Sequence, residues 1–131
     1  MPNAGDTYTI TLKKSHLGWG TYRFTDSRGI VFGEGYIPIP LKYARLYNVY
    51  NSNNSGTNPV YNCISSDGYF SQPIKVLAQG SHCSGDIYAK QFAVWGNLKA
   101  FGDWYSHVHA KIGDHVKVTW LSPTDIEIEH Y

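Results

Sequence analysis

Two stretches of this chain repeat one set of residue types suited to holding an anion beside a flat ring. "KSHLGWGTYR" covers residues 14–23 and "KQFAVWGNLK" covers residues 90–99. Lys14, Trp19, Gly20 and Arg23 reappear as Lys90, Trp95, Gly96 and Lys99 at a constant offset of 76. Ammonium and guanidinium groups neutralise anions, indole rings stack on flat surfaces, and glycine lets the backbone turn tightly. This is the chemistry of binding, since neither stretch sets a nucleophile beside a base.

Bond-making chemistry has weaker candidates elsewhere. In "TDIEIEH", Asp125, Glu127 and Glu129 fall on one face of a strand and Ile126 and Ile128 on the other. A metal-dependent nuclease needs two or three convergent carboxylates, commonly with a lysine. No Lys or Arg follows Lys117, so these acids read as a wet face that keeps polyanions away. Cys63, His82, Cys83, His107 and His109 could ligate a metal, and in a strand His107 and His109 would share a face. Tight pairs of the CxxC or HxxxH kind are missing, and adjacent His82-Cys83 is a poor bidentate pair. The expectation is no catalytic residue, no metal and no cofactor.

The elements that must position these residues are mostly strands. A chain of 131 residues buries one core, and its many aromatics and glycines favour β structure. "TYTITLK" (7–13), "GTYRF" (20–24) and "GYIPI" (35–39) read as strands. Pro40 opens a short helix over "LKYARLYNV", with Leu41, Ala44 and Val49 facing inward and Lys42 and Arg45 outward. "NSNNSGTN" (51–58) is a surface loop, and strands follow at 59–64, 68–71 and 73–79. "DIYAKQF" and "LKAF" flank the second Trp-Gly turn as strands, and residues 103–110 are a short helix capped by Asp103 or another strand. "HVKVTWL" (115–121) and "DIEIE" (125–129) alternate cleanly and form a closing hairpin. Many short strands with two small helices predict a mainly β chain folded as a barrel or open pseudobarrel, one domain over residues 1–131.

Charge is unevenly spread. Residues 11–49 hold six basic side chains (Lys13, Lys14, Arg23, Arg28, Lys42, Arg45) against two acids, whereas residues 100–131 hold two against five. A chain of net charge +1 can therefore carry a focused positive face. With no apolar run long enough for a membrane span, no signal-peptide pattern and no disulfide framework, a reducing, cytoplasmic setting is expected.

"LKKSHLGWGTYRF" followed by "IPIPLKYARLY", and later "KQFAVWGNLKAFGDWYSHVHAKIGDHVKVTW" with its Gly113-Asp114 pair, resemble a B3-type DNA-binding domain. The resemblance is closest to the B3-like recognition domains of EcoRII-type restriction endonucleases, and covers roughly residues 9–49 and 86–129. It implies an open seven-stranded pseudobarrel with two short helices. Two arms, around residues 11–24 and 88–101, would enter the major groove of double-stranded DNA. Lys13, Lys14, Arg23, Lys90 and Lys99 would then neutralise phosphates. Ser15, His16, Thr21, Gln91 and Asn97, with Arg23, would face base edges. Trp19 and Trp95 would pack beneath the arms or lie against the sugar-phosphate chain, and Tyr22 is counted among the DNA-binding residues. The resemblance implies a bacterial or phage cytosol, and a stand-alone binder or a recognition module whose nuclease partner is elsewhere. His16 stands where the plant members usually carry Asp, and "TDSRGIVFGEGY" is inserted before the prolines. The rival readings are a carbohydrate-binding β-domain, since exposed Trp and Tyr also suit sugars, and a small metal-dependent nuclease built on Asp125, Glu127 and Glu129.

Overall fold

The computed structural model describes residues 2–13, 35–51, 60–79, 87–97 and 99–131. Strand β1 is Thr7–Thr11, β2 Ile37–Pro38, β3 Val60–Ser65, β4 Ile74–Gln79, β5 Gln91–Val94, β6 His115–Ser122 and β7 Asp125–His130. Helix α1, Leu41–Tyr47, follows β2, and α2, Ala100–His107, follows β5. The strands form one sheet of order β1-β6-β7-β3-β4-β5-β2. The pairs are antiparallel except β3–β7, which is parallel. The expected mainly β, barrel-like architecture is what forms: a nearly closed seven-stranded sheet with one open seam, between edge strands β1 and β2, and two short helices.

Two tyrosines stitch the seam. The Tyr8 hydroxyl donates to the Pro38 carbonyl at 3.0 Å, and the Tyr47 hydroxyl donates to the Thr7 carbonyl at 2.7 Å. Ladder bonds do not complete the barrel there because Pro38 and Pro40 have no N–H to offer.

Alternation dictates the core. Tyr8, Ile10 and Leu12 point in while Thr9, Thr11 and Lys13 point out. Val116, Val118 and Trp120 of β6 and Ile126 and Ile128 of β7 point in likewise. Trp120 is the hub, its ring centroid lying 5.7–6.2 Å from those of Tyr8, Tyr47, Tyr61 and Phe92. Its Nε1–H has no hydrogen-bond partner among the described residues. Aromatic rings enclose it, and their faces are weak acceptors.

The helices cap the barrel differently from the sequence expectation. Leu41 and Leu46 of α1 are exposed, and Tyr43, Ala44 and Tyr47 face inward. Tyr43 stacks between Tyr8 and Tyr47 at 5.5 and 5.9 Å. Flat rings fill the space under the seam better than branched leucines would. Of the expected strand "LKAF", Lys99 to Phe101 instead open α2, whose Ala100, Phe101, Trp104 and Tyr105 are buried at helical spacing, and Leu98 lies outside the described residues. Lys99 is its N-cap and Asp103 lies in its first turn. The expected strand at 68–71 is also absent: these residues belong to a turn built on Asp67. Its carboxylate accepts from Ser65 Oγ (2.6 Å), the Tyr69 N–H (2.9 Å) and Trp104 Nε1 (3.0 Å). Gly35 meets α2 backbone to backbone: a Cβ there would stand 2.5 Å from the Gly102 nitrogen. The segments expected at 20–24 and most of 51–58 lie outside the described residues, and Asn51 is buried.

Candidate nucleic-acid interface

The sheet pairings set the direction of each strand. Counting from β1 through β6, β7, β3 and β4, β5 runs in the same direction as β1. Both strands therefore hand the chain on at the same rim, with β2 alone between them across the seam. Lys13 follows β1 at that rim and is exposed, as are Trp95, Gly96, Asn97 and Lys99 after β5.

The turn after β5 is built locally. Gly96 takes φ +79°, the left-handed value that the Trp-Gly pair anticipates. Asn97 N–H donates to the Val94 carbonyl at 3.3 Å, and Asn97 Oδ1 accepts the Lys99 N–H at 3.2 Å. The Asn97 carboxamide oxygen thus serves the start of α2, leaving its NH2 group for an outside partner. As placed, this side chain offers no bidentate pair to adenine, which needs both atoms.

Trp95 is 61% exposed, so this tryptophan is no core anchor. Its backbone N–H donates to the Lys75 carbonyl at 2.9 Å, extending the β4–β5 ladder one row beyond Val76–Val94. Val76 and Val94 point into the core, so Lys75 and Trp95 stand opposite one another on the outer surface. Sequence reading missed Lys75. The signal was available in "PIKVLAQ", where alternation turns Lys75 out as it turns Val76 in, but the pairing with Trp95 is a tertiary fact.

The second segment is split by its own strand. Lys90 and Gln91 lie at the start of β5, Trp95 and Asn97 beyond its end. At ~3.3 Å per residue the two groups are about 13 Å apart. Lys90 is exposed and joins β4 and β2 through its backbone, its N–H donating to the Gln79 carbonyl and its carbonyl accepting from Ile39. Gln91 is half-buried beside Gln79 and Pro38. The expected strand–loop–strand at 88–101 is therefore a strand, a turn and a helix. Lys14, Ser15, His16, Trp19, Thr21, Tyr22 and Arg23 lie outside the described residues.

The other constellations resolve into structure. Glu127 and Glu129 face outward on β7, while Asp125 accepts from Ser122 Oγ (2.6 Å) and Asn62 Nδ2 (3.0 Å). Those bonds, Ser122 first, hold the Asp125 carboxyl below its ordinary pKa. Cys63 is a buried free thiol pushed up to about 12 by burial. His107 stacks on Tyr69 at 4.6 Å, and His109 sits past the helix with φ 55°. His82 and Cys83 lie outside the described residues. Among the described residues no helix is long and apolar enough to cross a membrane.

No protein-family model and no curated protein matches the chain. A solved structure of a hypothetical protein of Arabidopsis thaliana is similar in fold, with a TM-score of 0.54 at 8% sequence identity, covering 100% of this chain and 94% of that one.

Proposed function

We propose that this chain is a B3-like, non-catalytic binder of double-stranded DNA, used alone or as the recognition part of a larger restriction system. The observation that carries the reading is the exposed Trp95 set opposite Lys75, with the exposed Lys99 four residues further along the chain. This cluster shares a rim with the end of β1, where the chain enters the basic stretch holding Lys14 and Arg23. Cations there would take phosphates, and the indole would lie against the sugar-phosphate chain. Base identity would come from Ser15, His16 and Thr21, with Asn97 giving one donor; Gln91, at the far end of β5, stands away from this rim. Glu127 and Glu129 on the outer face of β7 leave that side unfavourable to a polyanion.

Selection from randomised duplex oligonucleotides, followed by a salt titration of the winner, tests this. The expected result is a defined site whose affinity falls steeply with salt. Indifference to duplex at low salt would end the proposal, and retention on a polysaccharide column would then point to the sugar-stacking alternative that an exposed Trp95 also suits.

A further inference from the structure

Among the described residues, side-chain bonds stitch the seam along part of its length. Beside the Tyr8–Pro38 and Tyr47–Thr7 bonds it opens into a groove of about 450 Å³ between β1 (Thr9, Thr11) and the β2–α1 connection (Pro38, Pro40, Lys42). Its two walls differ. The β2 edge is two residues long and carries Pro38, with Pro40 just beyond. These are the devices that keep a sheet edge from pairing. The β1 edge is five residues of "TYTIT", rich in β-branched threonine, with no proline and no charge.

The β1 edge also has backbone groups directed at the groove. Leu12 N–H donates to Asp114 and Trp120 N–H donates to the Asp6 carbonyl, so the even-numbered residues of this strand make the ladder with β6. Side chains meet in the odd rows instead, Thr7 Oγ1 lying 3.2 Å from Thr119 Oγ1 and Thr11 Oγ1 3.3 Å from His115 Nδ1. Antiparallel alternation then turns the N–H and C=O of Thr7, Thr9 and Thr11 away from β6. Thr7 C=O accepts from Tyr47; among the described residues Thr9 and Thr11 have no such partner on that side. Among the described residues the groove lining holds no acid, and Lys42, lying 4.8 Å over the Tyr43 ring, is exposed on its rim.

We propose that the β1 edge of the seam docks an extended acidic segment of a partner protein, which adds as an extra strand along Thr9 and Thr11 and sets a carboxylate against Lys42. Backbone pairing supplies the affinity and the lysine selects the charge. This does not rest on the DNA-binding reading, which is carried by Trp95 just after β5 and Lys75 on β4; the two surfaces share only Lys13, which lines the groove.

Two synthetic peptides test it, one alternating threonine with glutamate and one alternating threonine with lysine, each about six residues long to match a typical strand. The expected result with the glutamate peptide is hydrogen exchange at the Thr9 and Thr11 amides slowed about tenfold at saturation. Amides of Tyr8 and Ile10, already in the ladder, should change little. Lys42→Glu, at an exposed position that leaves the fold intact, should weaken the glutamate peptide about tenfold and favour the lysine peptide. Thr9→Pro should abolish binding by removing an outward donor, its folding checked by the unchanged Tyr8 and Ile10 amides. Unaltered exchange at Thr9 and Thr11 with both peptides, equal binding by the Lys42→Glu variant, protection of these amides by duplex DNA instead, or self-association through this edge would each overturn the proposal.

Discussion

The Tyr8 hydroxyl reaches across the open seam to the Pro38 carbonyl, a side chain of the first strand serving where a ladder bond cannot form. Removing it in Tyr8→Phe leaves a partly buried carbonyl without its donor. The expected loss is about 1–2 kcal/mol, seen as a lower urea midpoint at unchanged m-value. A variant as stable as the parent would mean the seam is held by packing alone.

Trp95 and Trp104 should behave as opposites. Trp95→Ala removes an exposed ring and should leave stability within about 0.5 kcal/mol while weakening duplex binding. Trp104→Ala empties a fully buried site and breaks the bond to Asp67, costing about 3–5 kcal/mol. Thermal melts paired with a duplex-binding assay separate the two.

Lys75→Ala and Lys99→Ala should each weaken binding to every duplex sequence alike and lower the salt slope by about one. Asn97→Ala is expected to do something else as well, since its oxygen also holds the Lys99 N–H at the start of α2. Its effect should include about 1 kcal/mol of stability. Salt-dependent binding curves of the three variants check this.

Alkali should unfold the protein earlier than exposed phenols alone would suggest. Burial pushes Tyr61 up to about 12 from 10.0 and Cys63 up to about 12 from 9.0. Burial, with Tyr105 and Cys63 nearby, raises Tyr8 well above its usual value. In this range the folded state holds more protons than the unfolded state, so stability is complete below the unfolded values and lost as pH rises past them. Circular dichroism and tyrosinate absorbance followed together should show the buried phenols ionising only as the fold is lost.

Acid acts through Asp67. Burial opposes its charge, but the bonds from Ser65, Tyr69 and Trp104, with His107 near, outweigh that and hold the carboxyl below 3.8. The stability it lends is therefore present above the unfolded value and lost as pH falls through the folded one. Asp67→Asn should flatten the acid limb of a stability–pH curve and cost about 1–2 kcal/mol at neutral pH. Tryptophan fluorescence would report it through Trp104.

Sequence patterning revealed the fold where one periodicity ruled alone. Val116, Val118 and Trp120 against Ile126 and Ile128 left one reading, and the β6–β7 hairpin is there. The helix after Pro40 was legible, and Ala44 and Val49 are buried as expected, but Leu41 is exposed and Tyr43 and Tyr47 turn inward in its place, because hydropathy favours Leu41 over Tyr43. Only the ring stack around Trp120 makes tyrosine the better filler. The start of α2 was misread because Gly102 interrupts an otherwise helical apolar spacing. Its purpose, close approach to Gly35, depends on a residue far away in sequence. The Trp95 turn was legible in Gly96, whereas its partner Lys75 came from the sheet register.

That Gly35–Gly102 contact ties the lead-in of β2 to α2. Gly35 stands two residues before β2, and Gly102 lies in the first turn of α2. With no side chain between the two backbones to absorb movement, a displacement of α2 is transmitted straight to the start of β2, so helix and edge strand shift together.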